Sequence, residues 1–170
     1  LPLYPPARSM GSVSTSGDIS MATNQIREGF GLQGEGIKIG VISDTYNKRS
    51  ASLGSTEASD ITSGDLPGAE NPVTVLGQQP SNGTDEGRAM LQIVYDIAPK
   101  AQLYFRSGFN NAGDFDLGIG ELVNAGCRVV IDDVTYFAQP MFRDGVVSKA
   151  IDQAAAAGVS YFTSAGNFAD

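Results

Sequence analysis

No histidine occurs anywhere in this chain of 170 residues. That absence excludes every catalytic arrangement in which an imidazole relays the proton, Ser-His-Asp and Cys-His among them, from being assembled within the chain. Proton transfer near neutral pH is left to carboxylates. Cysteine occurs once, as Cys127, so neither an internal disulfide nor a multi-thiolate metal site can form. Its place between Gly126 and Arg128, at the entrance to an apolar run, marks it as a core residue. No apolar run approaches the roughly 18 residues of a membrane span, and no basic-then-apolar leader opens the sequence. Positive charge is also scarce. With a net charge of −8 and a pI near 4.4, the surface repels phosphates, and no nucleic-acid partner is expected.

What is present fits one globular domain with a real core, at 41% hydrophobic residues and no long charge run. Residues 1–17 carry Pro2, Pro5 and Pro6 and then a Gly/Ser/Thr stretch, which predicts an extended arm or linker ahead of a domain at 18–170. Ile19, Ala22 and Ile26 predict a short helix over 18–30. The run Ile37-Lys38-Ile39-Gly40-Val41-Ile42 reads as a strand buried on both faces. From 47 to 79 the composition is that of long surface loops, with a strand only at 73–76. After it the order is regular: helix 85–97, strand 101–105, helix 114–125, strand 128–133, helix 144–157, strand 159–163. Such alternation predicts a three-layer α/β domain, a doubly wound parallel sheet with helices on both faces.

In open parallel sheets, ligands bind beyond the carboxyl ends of the strands. Polar residues fall there in four places: Ser43 and Asp44 after the first strand; Glu86 at the start of the first regular helix; Asp132, Asp133 and Thr135 at the end of the 128–133 strand; and Ser164-Ala165-Gly166-Asn167 after the last. Glu86 is in helical line with Met90, Ile93, Val94 and Ile97, a stripe expected to face the sheet, which aims a carboxylate inward. It reads as a general base, or else Asp85 or Glu86 simply caps the helix, acidic residues being favoured in a first turn. Asn167 reads as an oxyanion donor or as turn chemistry, and Asp44 as an acid or an Asx-type loop residue. The run Gly29-Phe30-Gly31-Leu32-Gln33-Gly34 has dinucleotide spacing but precedes its strand, so no nucleotide cofactor is expected. The pairs Asp114/Asp116 and Asp132/Asp133 offer oxygens to calcium without forming a calcium-loop pattern, so no metal is indicated.

Gly34-Glu35-Gly36-Ile37-Lys38-Ile39-Gly40-Val41-Ile42-Ser43-Asp44-Thr45 resembles the subtilase segment that ends in the catalytic aspartate. Val159 to Asn167 resembles the strand and oxyanion asparagine of that family, and residues 128–137 resemble the strand walling its substrate cleft. Glu86-Gly87-Arg88-Ala89-Met90, followed by Ile97-Ala98-Pro99, is closer to the sedolisins, acidic relatives in which glutamate replaces the subtilisin histidine. The resemblance spans about residues 18–170. It implies a secreted or cell-envelope serine peptidase acting on peptides or proteins, with a subtilisin-like fold. Glu86 would be its base, Asp44 or Asp133 its acid, and Asn167 its oxyanion donor. Val134, Thr135, Tyr136, Ser164 and Gly166 would line the substrate.

Three features depart from the pattern. Gapless alignment puts Ser43, not Asp44, where subtilisins have aspartate. Met90 stands where sedolisins carry a second acid. No Gly-Thr-Ser nucleophile motif occurs within the chain. The expectation is therefore the N-terminal part of a catalytic domain, inactive alone and completed by the remaining C-terminal part. The alternative is a subtilase-like module that binds peptides, or is structural, without cleaving.

Overall fold

The structure is a computed structural model that describes residues 15–140 and 142–167. The arm expected over residues 1–17 therefore lies almost wholly outside the described residues. Two short helices open the fold, α1 (Ser16–Ser20) and α2 (Thr23–Phe30). One continuous helix was expected over 18–30, but Ala22 takes a left-handed conformation, φ 57°, and breaks it. Asp18 holds the bend: its carboxylate accepts bonds from Thr23 Oγ1 and from both terminal nitrogens of Arg27.

Five parallel strands follow: β1 (Lys38–Ser43), β2 (Thr74–Leu76), β3 (Gln102–Ser107), β4 (Val129–Asp132) and β5 (Ser160–Thr163). They lie in the order β2-β3-β1-β4-β5. The helices between them are α3 (Glu57–Ser63), α4 (Glu86–Ile97), α5 (Ala112–Asn124) and α6 (Val146–Ala156). Helix α3 lies within the segment read as loops; a Thr56/Ser59 capping box nucleates it. The α/β architecture, a parallel sheet with helices packed on both faces, is as the alternation predicts.

Side chains of β1 alternate between two cores. Ile39 and Val41 join Leu91 and Val94 of α4 and Leu103 and Phe105 of β3. On the other face Ile42 meets Phe115, Ile119 and Leu122 of α5, with Cys127 and Val130. Each such side chain stabilises the fold by roughly 1.5–3 kcal/mol when fully buried. Close approach of the helices depends on two glycines. A Cβ on Gly40 would stand 2.9 Å from the Leu122 methyls, and one on Gly87 would stand 2.2 Å from the Phe105 ring.

Two carboxylate–arginine networks around buried guanidiniums tie elements together, one joining helix α4 to α3 and the other strand β3 to α5. Arg88 of α4 pairs with Asp60 of α3 at 2.6 Å and with Asp85 at 3.2 Å. Arg106 of β3 reaches Asp114 and Glu121 of α5, each at 2.7 Å. Asp114, one of the calcium candidates, is thereby committed to a guanidinium. Among the described residues no group of three or more potential ligands is disposed to hold a metal ion. No helix of the described residues is long and apolar enough to cross a membrane.

Candidate active site

All five strands point the same way, so their carboxyl ends bring four segments onto one edge of the sheet. The first is Ser43-Asp44-Thr45. Ser43 and Asp44 are buried, and the Asp44 carboxylate is fully occupied. Its Oδ2 accepts from Thr84 N at 2.6 Å and Thr84 Oγ1 at 2.7 Å, while Oδ1 accepts from Thr45 N and, at 3.4 Å, from Gly87 N. Burial pushes the Asp44 pKa up. The bonds from Thr84, Thr45 and Gly87 outweigh it and hold the carboxyl below its ordinary value.

Glu86 begins α4 directly after this anchor. The buried residues of α4 are Gly87, Arg88, Leu91 and Val94, and of these Gly87, Leu91 and Val94 pack against the sheet, rotated from the expected Met90-Ile93-Val94-Ile97 line, while Arg88 turns to Asp60 of α3. Gly87 determines the rotation, because only a residue without a side chain fits against Phe105 and the Thr45 carbonyl. Glu86 is consequently exposed rather than turned under the helix, and its side chain lines a cavity of about 410 Å³ at the carboxyl edge.

Asp133 lines the same cavity. Strand β4 ends at Asp132, which leaves Asp133 half-buried just past the sheet. Ser43 Oγ donates to its Oδ2 at 3.1 Å, and its Oδ1 is buried without a partner among the described residues. Burial raises the Asp133 pKa to about 6, with the neighbouring charges of Glu86 and Asp132 acting in the same direction against the Ser43 bond.

Asp132 points to the opposite side and joins two walls of the site. Its Oδ1 accepts from Val134 N at 3.1 Å and from Thr163 Oγ1 at 3.0 Å. Its main-chain oxygen accepts from Ser164 N at 3.0 Å, and burial raises its own pKa. Through these bonds β4 and β5 present the Ser164–Asn167 loop to the cavity.

Glu86, Asp133 and Asn167 thus line a single cavity, together with Thr135, Ser164 and Gly166. Asp44 does not line it. Val134 and Tyr136, expected on the substrate wall, turn the other way. Val134 packs against the α5–α6 core, while Tyr136 stacks edge-on against Phe115 and donates its hydroxyl to the Gly108 carbonyl. Alternation past the end of β4 explains this, since Asp133 and Thr135 share one side and Val134 and Tyr136 the other.

The chain matches no protein-family model, and no curated protein matches it.

Two lining residues were not foreseen. Phe109, after β3, is 60% exposed and Phe137, after β4, 66%. Both are large apolar side chains at the carboxyl edge, where solvent exposure has a cost unless something covers them. Their position after strands was the signal available in the sequence; their meeting at one cavity depends on the strand order.

Chemically, the cavity offers an exposed carboxylate, a second carboxyl whose proton affinity is raised, and a side-chain amide. A carboxyl with raised proton affinity can pass a proton to a group that enters the cavity. The amide can donate to an oxygen on which negative charge develops.

Proposed function

We propose that this cavity is the acid–base half of a peptidase site of the subtilisin and sedolisin kind, on a subtilisin-like domain, with peptides or proteins as substrate. In this reading a serine hydroxyl supplied from outside these 170 residues attacks the peptide carbonyl carbon, and Glu86 takes its proton. The proton then passes to the leaving amine as the C–N bond breaks. Water releases the acyl group by the same steps in reverse. Asp133, not Asp44, is the acid that stabilises the proton on Glu86. Asn167 donates from its amide to the tetrahedral oxyanion. Asp44 holds the frame, and secretion or residence at the cell envelope goes with the same reading.

The observation that carries the proposal is the meeting of Glu86, Asp133 and Asn167 at one cavity on the carboxyl edge. Three segments separated by long stretches of sequence supply a base, an acid and an oxyanion donor in one place. The test is peptide hydrolysis by the full-length gene product carrying Glu86→Gln. Removing a general base lowers kcat by roughly 100-fold or more. Unchanged hydrolysis would overturn the assignment of Glu86. A full-length product that binds peptides at this cavity without cleaving them would favour the non-catalytic module.

A further inference from the structure

Glu86 takes its place from the residue before it. Asp85 is left-handed, φ 58° and ψ 33°, and among the described non-glycine residues only Ala22 shares that sign of φ. For an L-residue this conformation costs about 1–2 kcal/mol, so something must hold it. An aspartate at a helix start ordinarily turns its carboxylate onto the N–H groups of its own helix. Asp85 makes no such bond. Its side chain is turned back into the protein, 3% exposed, and is bound there by four donors. Oδ1 accepts from Thr45 Oγ1 at 2.8 Å and Lys48 N at 2.7 Å. Oδ2 accepts from Arg49 N at 3.1 Å and Arg88 Nη2 at 3.2 Å. Thr45 Oγ1 also accepts from Asp85 N at 3.1 Å, so the two residues are bonded in both directions. The vacated helix start is served instead by Asp44, through Gly87 N.

Two consecutive residues after β1 therefore bond to two consecutive residues before α4: Asp44 to Thr84, and Thr45 to Asp85. The next residue in line is Glu86. We propose that Asp85 is a positioning residue, whose buried carboxylate locks the left-handed start of α4 and so keeps Glu86 facing Asp133 across the cavity. The proposal rests on the reading that Glu86 and Asp133 act as a pair, and it needs no peptidase activity to be tested.

Asp133 is a built-in reporter, because the charge of Glu86 helps to raise its pKa. The Asp133 carboxyl is titrated by carbon-detected NMR in this chain and in three variants. Glu86→Gln removes the charge and lowers the Asp133 midpoint, which calibrates the effect. Asp85→Gly keeps access to the left-handed conformation but loses the anchor, and is expected to reproduce at least half of that lowering. Thr45→Val removes only the hydroxyl that binds Asp85; it is expected to shift the midpoint in the same direction by less, and it serves where Asp85→Gly does not fold. If Glu86→Gln moves the midpoint while Asp85→Gly or, in its place, Thr45→Val leaves it at the wild-type value, the positioning role is overturned and the pairing survives. If Glu86→Gln itself leaves the midpoint unmoved, the pairing fails, and the positioning role with it.

Discussion

Asp44 meets Thr84, forty residues further along the chain, with one carboxylate oxygen accepting from both the Thr84 amide and its hydroxyl, at 2.6 and 2.7 Å. Asp44, one of the two residues that family resemblance offers as the acid, thus joins the end of β1 to the start of α4. Its depressed pKa makes this a stability contribution with a definite pH dependence. The contribution is fully present above the unfolded pKa, near 4, and is lost as pH falls through the lower folded value. Asp44→Asn is expected to destabilise the chain by about 1–3 kcal/mol at pH 7. In urea unfolding across the acid range, the gap to wild type should close as pH drops below about 4. A pH-independent gap would show that charge is not what Thr84 and Gly87 recognise.

Asp133 carries the opposite sign. Its folded pKa, about 6, lies above that of an unfolded aspartate, so the native state binds the proton more tightly and loses stability as pH rises between the two values. Asp133→Asn should stabilise the chain at pH 7 by about 1 kcal/mol, after discounting for the solvent screening of a half-buried group. The gain should vanish below pH 4. Loss of stability at pH 7 would mean that the Ser43 bond to the carboxylate outweighs the cost of burying its charge.

Asn167 is predicted to act in the transition state alone. In the full-length gene product, Asn167→Ala should lower kcat by about 100-fold with little change in KM, the pattern expected when an oxyanion donor is removed. A raised KM at constant kcat would instead make Asn167 a substrate-binding group.

Two glycines separate packing from propensity. Gly120 lies within α5 and has open space where a Cβ would be, so Gly120→Ala should stabilise by about 0.5–1 kcal/mol. Gly87 also lies in a helix, but its Cβ would fall 2.9 Å from the Thr45 carbonyl as well as against Phe105. Gly87→Ala should destabilise by about 1–3 kcal/mol, as overpacking does. Thermal unfolding of the two variants checks both signs.

Cys127 should be inert in the native state. It is 1% exposed, and burial pushes its thiol pKa up to about 11, against the pull of the Lys38 charge. A thiol reagent at pH 8 should label it only after denaturant is added. Prompt labelling of the folded chain would contradict its place in the α5–α6 core.

Much of the fold was legible in the chain itself. The alternation of apolar strands with amphipathic helices after residue 80 requires a parallel sheet covered on both faces, because each crossover must return the chain to the same edge. That rule also puts Glu86, Asp133 and Asn167 at the carboxyl edge of the sheet. The lone cysteine and the lack of histidine limited the chemistry equally directly. Less was legible where local pattern is silent. The break at Ala22 and helix α3 depend on a salt-bridged bend and a capping box, and both are weak in composition.

The sequence by itself determined which groups stand at the carboxyl edge, since strand ends and helix starts follow from hydrophobic period. Only the tertiary structure decided which of them share a cavity. The strand order sets β1 between β3 and β4, and Gly87 against Phe105 sets the rotation of α4. Asp44 is then consumed by Thr84, while Asp133, a residue past the end of β4, remains to face Glu86. A carboxylate's role depends on which donors reach it in space, and hydrophobic period along the chain carries no record of that.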